Sequence, residues 1–149
     1  MLVHFKIETC SSVNIPSVCA HVFGDLKHLA VLHTGKNENP HWHCQGETPL
    51  DGKELDSYLK DVCTNHSKYI KNPKARPCKR AKKDIDESGY QYIMKEGVDS
   101  VVHRSDDFTD DVLLELFEQS NEHVDKLKNQ LRDYLIEKEQ KFPSPEEEA

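Results

Sequence analysis

The sequence contains no uninterrupted apolar run approaching the roughly 18 residues that a membrane-spanning helix needs. Its start is not a charged leader followed by an apolar core. Met1 to Cys10 alternates in character and carries Lys6 and Glu8, so no signal peptide is expected, and the protein is expected to be soluble and intracellular. The five cysteines (Cys10, Cys19, Cys44, Cys63 and Cys78) are scattered, odd in number and without a C-x-x-C pair. That pattern argues against a disulfide framework and gives no support to a thiolate-built structural zinc site; reduced, mostly buried thiols are expected. No G-x-x-x-x-G-K-[ST] loop and no internal repeat occur. Apolar residues make up only 36% of the 149, with a mean hydropathy of −0.78, while 32% are charged. One modest core under much solvated surface is expected. The apolar positions recur at regular intervals, which points away from a disordered chain.

The formal net charge of −7 hides a division along the chain. Residues 105–149 hold fourteen acids against five bases, a balance of −9, whereas residues 1–104 hold thirteen against fifteen, or +2. The acidic character that argues against a nucleic-acid partner therefore belongs to the last third alone.

Leu2 to Thr9 alternates Val3, Phe5 and Ile7 against His4, Lys6 and Glu8, which predicts a half-buried strand. Pro16 suits the first turn of a helix running to about Leu26, with Val18, Cys19, Val22 and Phe23 on one side and Gly24 disturbing its end. His28 to His33 and His41 to Glu47 read as two strands of a hairpin around the polar turn from Gly35 to Pro40. Leu55, Tyr58, Leu59 and Val62 fall at helical spacing and predict a helix from Asp51 to about Val62. Ser88 to Glu96 predicts a short helix stopped by Gly97, and Val98 to His103 a further strand. Thr109 caps a long helix, with a break expected near Ser120 and Asn121 and apolar positions running from Val112 to Leu135. Its role is open between an oligomerisation segment and simple packing on the sheet. The Pro- and Glu-rich tail at 143–149 is expected to be disordered. Together these elements predict an α+β fold, one antiparallel sheet with helices on its face. The domain is expected over 1–104, a helical segment over 105–142 and the tail beyond.

In a strand, residues two apart share a side, so His41, His43 and Gln45 line one face while Trp42, Cys44 and Gly46 line the other. Two imidazoles placed this way can share a metal ion, and His33, ending the partner strand, can bring a third. Three neutral imidazoles suit a first-row divalent metal with positions left for phosphate or water. A His-x-His pair alone also fits ordinary structural histidines in a chain with nine.

Tyr92 and Lys95 lie three apart on the predicted short helix and share a face. A phenol, with a free pKa of about 10, needs a nearby cation and a polarised phosphodiester to attack at neutral pH. Tyr90 is the rival nucleophile and lacks a lysine three residues on. Just before this helix, residues 68–83 hold eight Lys or Arg and no acid: Lys68, Lys71, Lys74, Arg76, Lys79, Arg80, Lys82 and Lys83. Prolines within it suggest a loop feeding an edge strand. Such a run is the electrostatic footprint of a nucleic-acid backbone groove, and it reads equally as a solvated loop or localisation signal. Few aromatics interleave with the charges, so base stacking is not implied.

Taken in order, Val3 to Thr9, Asn39-Pro40-His41-Trp42-His43-Cys44-Gln45-Gly46, the Cys78-to-Lys82 strand and Tyr92-Ile93-Met94-Lys95-Glu96-Gly97 resemble the HUH endonuclease domain. This is the nicking domain of replication initiator (Rep) proteins of circular single-stranded DNA viruses, and the resemblance covers roughly residues 2–103. It implies a five-stranded antiparallel, RRM-like sheet with flanking helices and Mn²⁺ or Mg²⁺ at His41, His43 and His33, with Gln45 as an accessory residue. It also implies a single-stranded DNA partner cut in the loop of an origin hairpin. Tyr92 would form a 5′-phosphotyrosine, assisted by Lys95, and the free 3′-OH would prime rolling-circle replication in a host nucleus. His33 stands near the place where the family often has Glu, and Phe5 to Thr9 matches the family's first motif only loosely. The helicase part such proteins usually carry has no phosphate loop here, so a fragment, a short form and a stand-alone nickase all fit.

Two other readings remain. A non-catalytic nucleic-acid-binding module would use the histidines structurally. A histidine-triad nucleotide hydrolase would need a third alternating histidine where Gln45 stands. A third, a partner-binding adaptor built on the acidic helix, can coexist with the nickase.

Overall fold

Alternation along the strands dictates a sheet with two different faces. The computed structural model describes residues 1–8, 13–35, 40–65 and 80–141. Lys68, Lys71, Lys74, Arg76, Lys79, Cys10, Cys78 and the tail lie outside the described residues. Five antiparallel strands form one sheet: β1 (Leu2–Glu8), β2 (His28–His33), β3 (His41–Glu47), β4 (Lys82–Lys83) and β5 (Val101–Arg104). Their spatial order is β4-β1-β3-β2-β5, so β3 lies in the centre between β1 and β2.

On one face, Val3, Phe5, Ile7, Ala30 and Cys44 meet the apolar sides of α1 (Ile15–Val22) and α2 (Gly52–Asn65). Asn14 starts α1 by accepting a hydrogen bond from the Ser17 amide at 3.1 Å, with Pro16 in the first turn where its missing N–H costs nothing. The helix ends at Val22, earlier than Leu26, because Gly24 takes a positive φ of 59° and turns the chain toward β2. Asp51 starts α2 by accepting from the Glu54 amide at 2.8 Å. Each large side chain fully buried here, such as Phe5, Ile7 or Leu55, contributes about 1.5–3 kcal/mol.

On the other face, Leu2, Leu29 and Val31 pack against α3 (Gly89–Ile93), Met94, Phe108 and Leu113. A 3₁₀ turn (Met94–Glu96) continues α3, and Gly97, at φ 95°, turns the chain into a second 3₁₀ turn (Val98–Ser100). Strand β5 consequently begins at Val101 and not at Val98. Thr109 caps α4 (Asp110–Lys141) by accepting from the Val112 amide at 3.3 Å. This helix runs through Ser120 and Asn121 without the expected break, since good helix formers on either side outweigh two indifferent residues. Leu113 joins the core, whereas Leu131, Tyr134, Leu135 and Ile136 are about half exposed. No helix among the described residues is long and apolar enough to cross a membrane.

At Gly46, β3 lies close against the start of β2. A Cβ there would stand 2.7 Å from the Lys27 carbonyl oxygen and 2.8 Å from the His28 Cα. Backbone cannot yield as a side-chain tip can. Gly46→Ala is expected to cost about 1–3 kcal/mol and lower the thermal midpoint; an unchanged midpoint would show that the two strands are not held this tightly.

Candidate metal and tyrosine site

The second face carries polar residues at the end where β2 finishes and β3 begins. His33 and His41 are paired across the two strands, and His43 follows two residues on, so all three rings project to one side. All are buried, and one ligand atom from each lies within 4.8 Å of the others. Ring centroids are 4.5 Å apart for His33 and His43, 4.8 Å for His41 and His43, and 5.6 Å for His33 and His41. This triad could hold a metal ion.

Hydrogen bonds decide which nitrogens face inward. His33 Nε2–H donates to the Ile93 carbonyl at 2.7 Å, so Nδ1 carries the lone pair. That buried Nδ1 has no hydrogen-bond partner. The Glu96 carboxylate lies 3.7 Å away. It does not form an ion pair, because burial lowers the His33 pKa and keeps the ring neutral. A lone pair and a carboxylate facing each other across that gap repel unless a cation stands near both, and a buried unpartnered nitrogen is costly. Glu96 is itself held by Thr34, whose amide donates to Oε1 at 2.9 Å.

His43 is set by a longer chain. The Gln45 Oε1 can only accept, so His4 Nδ1–H donates to it at 3.1 Å. His4 Nε2 then accepts from His43 Nδ1–H at 2.8 Å, which leaves the His43 Nε2 lone pair for a metal. Gln45 is fully buried beneath the first turn of α3. A Cβ at Gly89 would collide with its side-chain amide, so glycine lets α3 lie directly on β3. Burial, reinforced by the neighbouring histidines, pushes the His43 pKa down to about 2, and burial lowers that of His4 as well. Neutral imidazoles at His33 and His43 are what a cation site requires.

Tyr92 is presented beside this triad on α3. It is 55% exposed, with its ring centroid 6.1 Å from that of His43 and 6.4 Å from that of His33. Lys95 Nζ donates to the Tyr92 hydroxyl at 3.5 Å and lies 4.8 Å from the ring centroid. Tyr90 points the other way. It is 2% exposed and packed on Phe108, and burial pushes its pKa up, so it presents no hydroxyl to solvent.

The basic residues divide by face. Lys82 pairs with His4, so it projects to the triad side, while Lys83 pairs with Val3 and turns to α2, where it meets Asp56 at 2.7 Å. Arg80 is exposed just before β4. Lys6, opposite His43 in the register, adds an exposed cation that the sequence did not single out. His4, Glu96 and Gly89 were also missed. For His4 the available signal was the alternation that put it, with Lys6 and Glu8, on the side of β1 away from Val3, Phe5 and Ile7.

No protein family, curated protein or solved structure matches this chain. The class that can be stated is therefore structural: an α+β domain with a three-histidine metal-capable centre beside an exposed tyrosine–lysine pair.

The depressed histidines predict a pH dependence. The unfolded chain takes up protons below about pH 6.5, whereas His4, His33 and His43 in the metal-free native state resist them. Stability must then fall as pH drops from about 6.5 toward the lowered values. Urea melts of metal-free protein at pH 7.5 and 5.0 should show a lower midpoint at pH 5.0, and less of a drop in His43→Asn; equal midpoints would contradict this burial. His4 would act on a cation at the triad through its hydrogen bond to His43. His4→Phe is expected to weaken divalent-cation binding there by about 10–100-fold with the fold intact, as calorimetry would reveal.

Proposed function

We propose that this chain is a metal-dependent endonuclease of the HUH type, which nicks and rejoins single-stranded DNA through a covalent phosphotyrosine. The observation that carries the reading is the unpartnered His33 Nδ1 within a buried histidine triad, beside an exposed Tyr92 that Lys95 touches. His33, His41 and His43 would hold the ion. Three nitrogen donors favour Mn²⁺ over Mg²⁺, which takes oxygen ligands. Such an ion, when bound, polarises the scissile phosphate and offsets its charge.

The chain's own residues do the rest. Tyr92 Oη forms the bond to phosphorus as the bond from phosphorus to the 3′ oxygen breaks. The phenol gives up its proton, the departing oxygen gains one, and the products are a 5′-phosphotyrosine and a free 3′-hydroxyl. One phosphoester replaces another, so attack by a 3′-hydroxyl in the reverse sense rejoins the strand without a nucleoside triphosphate. Lys95 stabilises the negative charge that develops on the phosphate and the Tyr92 oxygen. Lys6 and Lys82, exposed on the same face, supply counter-charge for flanking phosphates. The chemistry suits initiation of rolling-circle replication at a hairpin origin.

The test uses a panel of hairpin oligonucleotides with Mn²⁺, read by strand cleavage and intact mass of the protein. Wild type and Tyr90→Phe should both form an adduct. Tyr92→Phe should form none while still binding DNA, and Lys95→Ala should cleave about 10²–10³-fold more slowly. If the wild type leaves the whole panel uncut, the enzyme reading fails and the non-catalytic binding module takes its place.

A further inference from the structure

The opposite face of the sheet holds a second group of metal-ligating side chains that the proposed reaction does not use. We propose that Cys19, His28 and His103 form a second metal site, for a thiophilic divalent cation of the zinc type. Cys19 comes from α1, His28 from the first position of β2 and His103 from the edge strand β5, and one ligand atom from each lies within 4.8 Å of the others. Cysteine spacing along the chain concealed this arrangement, because only one of the three ligands is a cysteine and the other two lie on separate strands.

His28 is prepared as a ligand. Its Nδ1–H donates to the Leu26 carbonyl at 2.7 Å, so Nε2 carries the lone pair and faces His103 Nδ1 at 2.8 Å. The ring stacks on Phe23 at 5.1 Å, and its backbone is clamped by Ser105, whose Oγ accepts from the His28 amide at 3.0 Å. Cys19 is fully buried, whereas His103 is half-buried and borders solvent, which leaves room for water as a fourth ligand.

In the absence of a cation, the His103 Nδ1 proton fills the His28 lone pair. Binding moves that proton to His103 Nε2 and releases the Cys19 thiol proton to solvent, so the cation gains two nitrogens and one thiolate. Tetrahedral zinc bonds of about 2.0–2.3 Å require the two imidazole nitrogens to part slightly and the sulfur to draw in. A thiolate selects zinc or cobalt over manganese, so the two faces of the sheet would take different ions. The bound cation would tie α1 and β5 to β2. None of this depends on the nicking reaction.

The test is titration of the chelator-treated full chain with Co²⁺, following the near-ultraviolet thiolate-to-cobalt charge-transfer band. Wild type and His41→Ala are both expected to show the band, saturating at one thiolate-bound cobalt per chain and bleaching on addition of Zn²⁺. Cys19→Ala should lose it, and half-exposed His103→Ala should weaken it strongly. Zn²⁺ should also raise the thermal midpoint of His41→Ala but not of His41→Ala combined with His103→Ala. A wild type without the band overturns the proposal, as does a band undiminished in either Cys19→Ala or His103→Ala. Should Cys19→Ala fail to fold, His103→Ala decides alone. DNA cleavage plays no part in the readout, so the outcome stands apart from that of the nuclease test.

Discussion

The hydrogen bond from His33 Nε2 to the Ile93 carbonyl joins the two halves of the candidate site. Ile93 ends α3 and opens the 3₁₀ turn that continues it, and its carbonyl also accepts from His33. The same bond fixes the tautomer that turns His33 Nδ1 inward, and it holds Tyr92, the neighbour of Ile93, against the triad. One contact thereby sets ligand chemistry, helix docking and the position of the tyrosine. Because its two ends lie 60 residues apart, the site exists only once the sheet and α3 have come together.

Gly89 and Gln45 make the second attachment of α3 to the sheet, at the other end of the helix. Gln45 sits below the glycine and reaches His4, which reaches His43. The chain keeps the imidazole rings from rotating, while the Gln45 Nε2 buried at its foot has no hydrogen-bond partner. The apolar cluster of Leu29, Val31, Tyr90, Ile93 and Phe108 presses α3 onto this polar layer, so packing and hydrogen bonding constrain the same short helix. Tyr90 and Tyr92, two residues apart, end in opposite surroundings: one is a core anchor and the other a solvent-facing hydroxyl.

Period-two alternation made the strands legible. Val3, Phe5 and Ile7 against His4, Lys6 and Glu8 define β1, and the same logic correctly separated His41 and His43 from Trp42 and Cys44. Helical spacing likewise placed Tyr92 near Lys95. What stayed hidden depends on sheet order. Only the adjacency of β1 and β3 brings His4 and Lys6 to His43, and nothing local in the sequence states that adjacency. Glu96 was hidden for a related reason: its contact with His33 crosses from a 3₁₀ turn to the end of a strand. Boundaries failed where backbone torsion overrode pattern, as at Gly97, whose positive φ delays β5. The expected break in α4 failed because Ser120 and Asn121 are too weak as breakers to interrupt a helix already anchored by Leu113.

Strand β3 has a neighbour on each side and a different role on each face, with Cys44 buried in the first core and His41 and His43 in the triad that could hold a metal ion. A slip of one residue would turn every side chain to the wrong face. It would drive the imidazoles into the apolar layer and expose Trp42 and Cys44 among the charges. No half-correct arrangement is available, since the same alternation fills two different interiors, one apolar and one lined by the histidines and Gln45. The strand therefore acts as its own proofreader: a chain misthreaded here forfeits its core before it can present a defective site, so folded molecules and correctly assembled centres form one population.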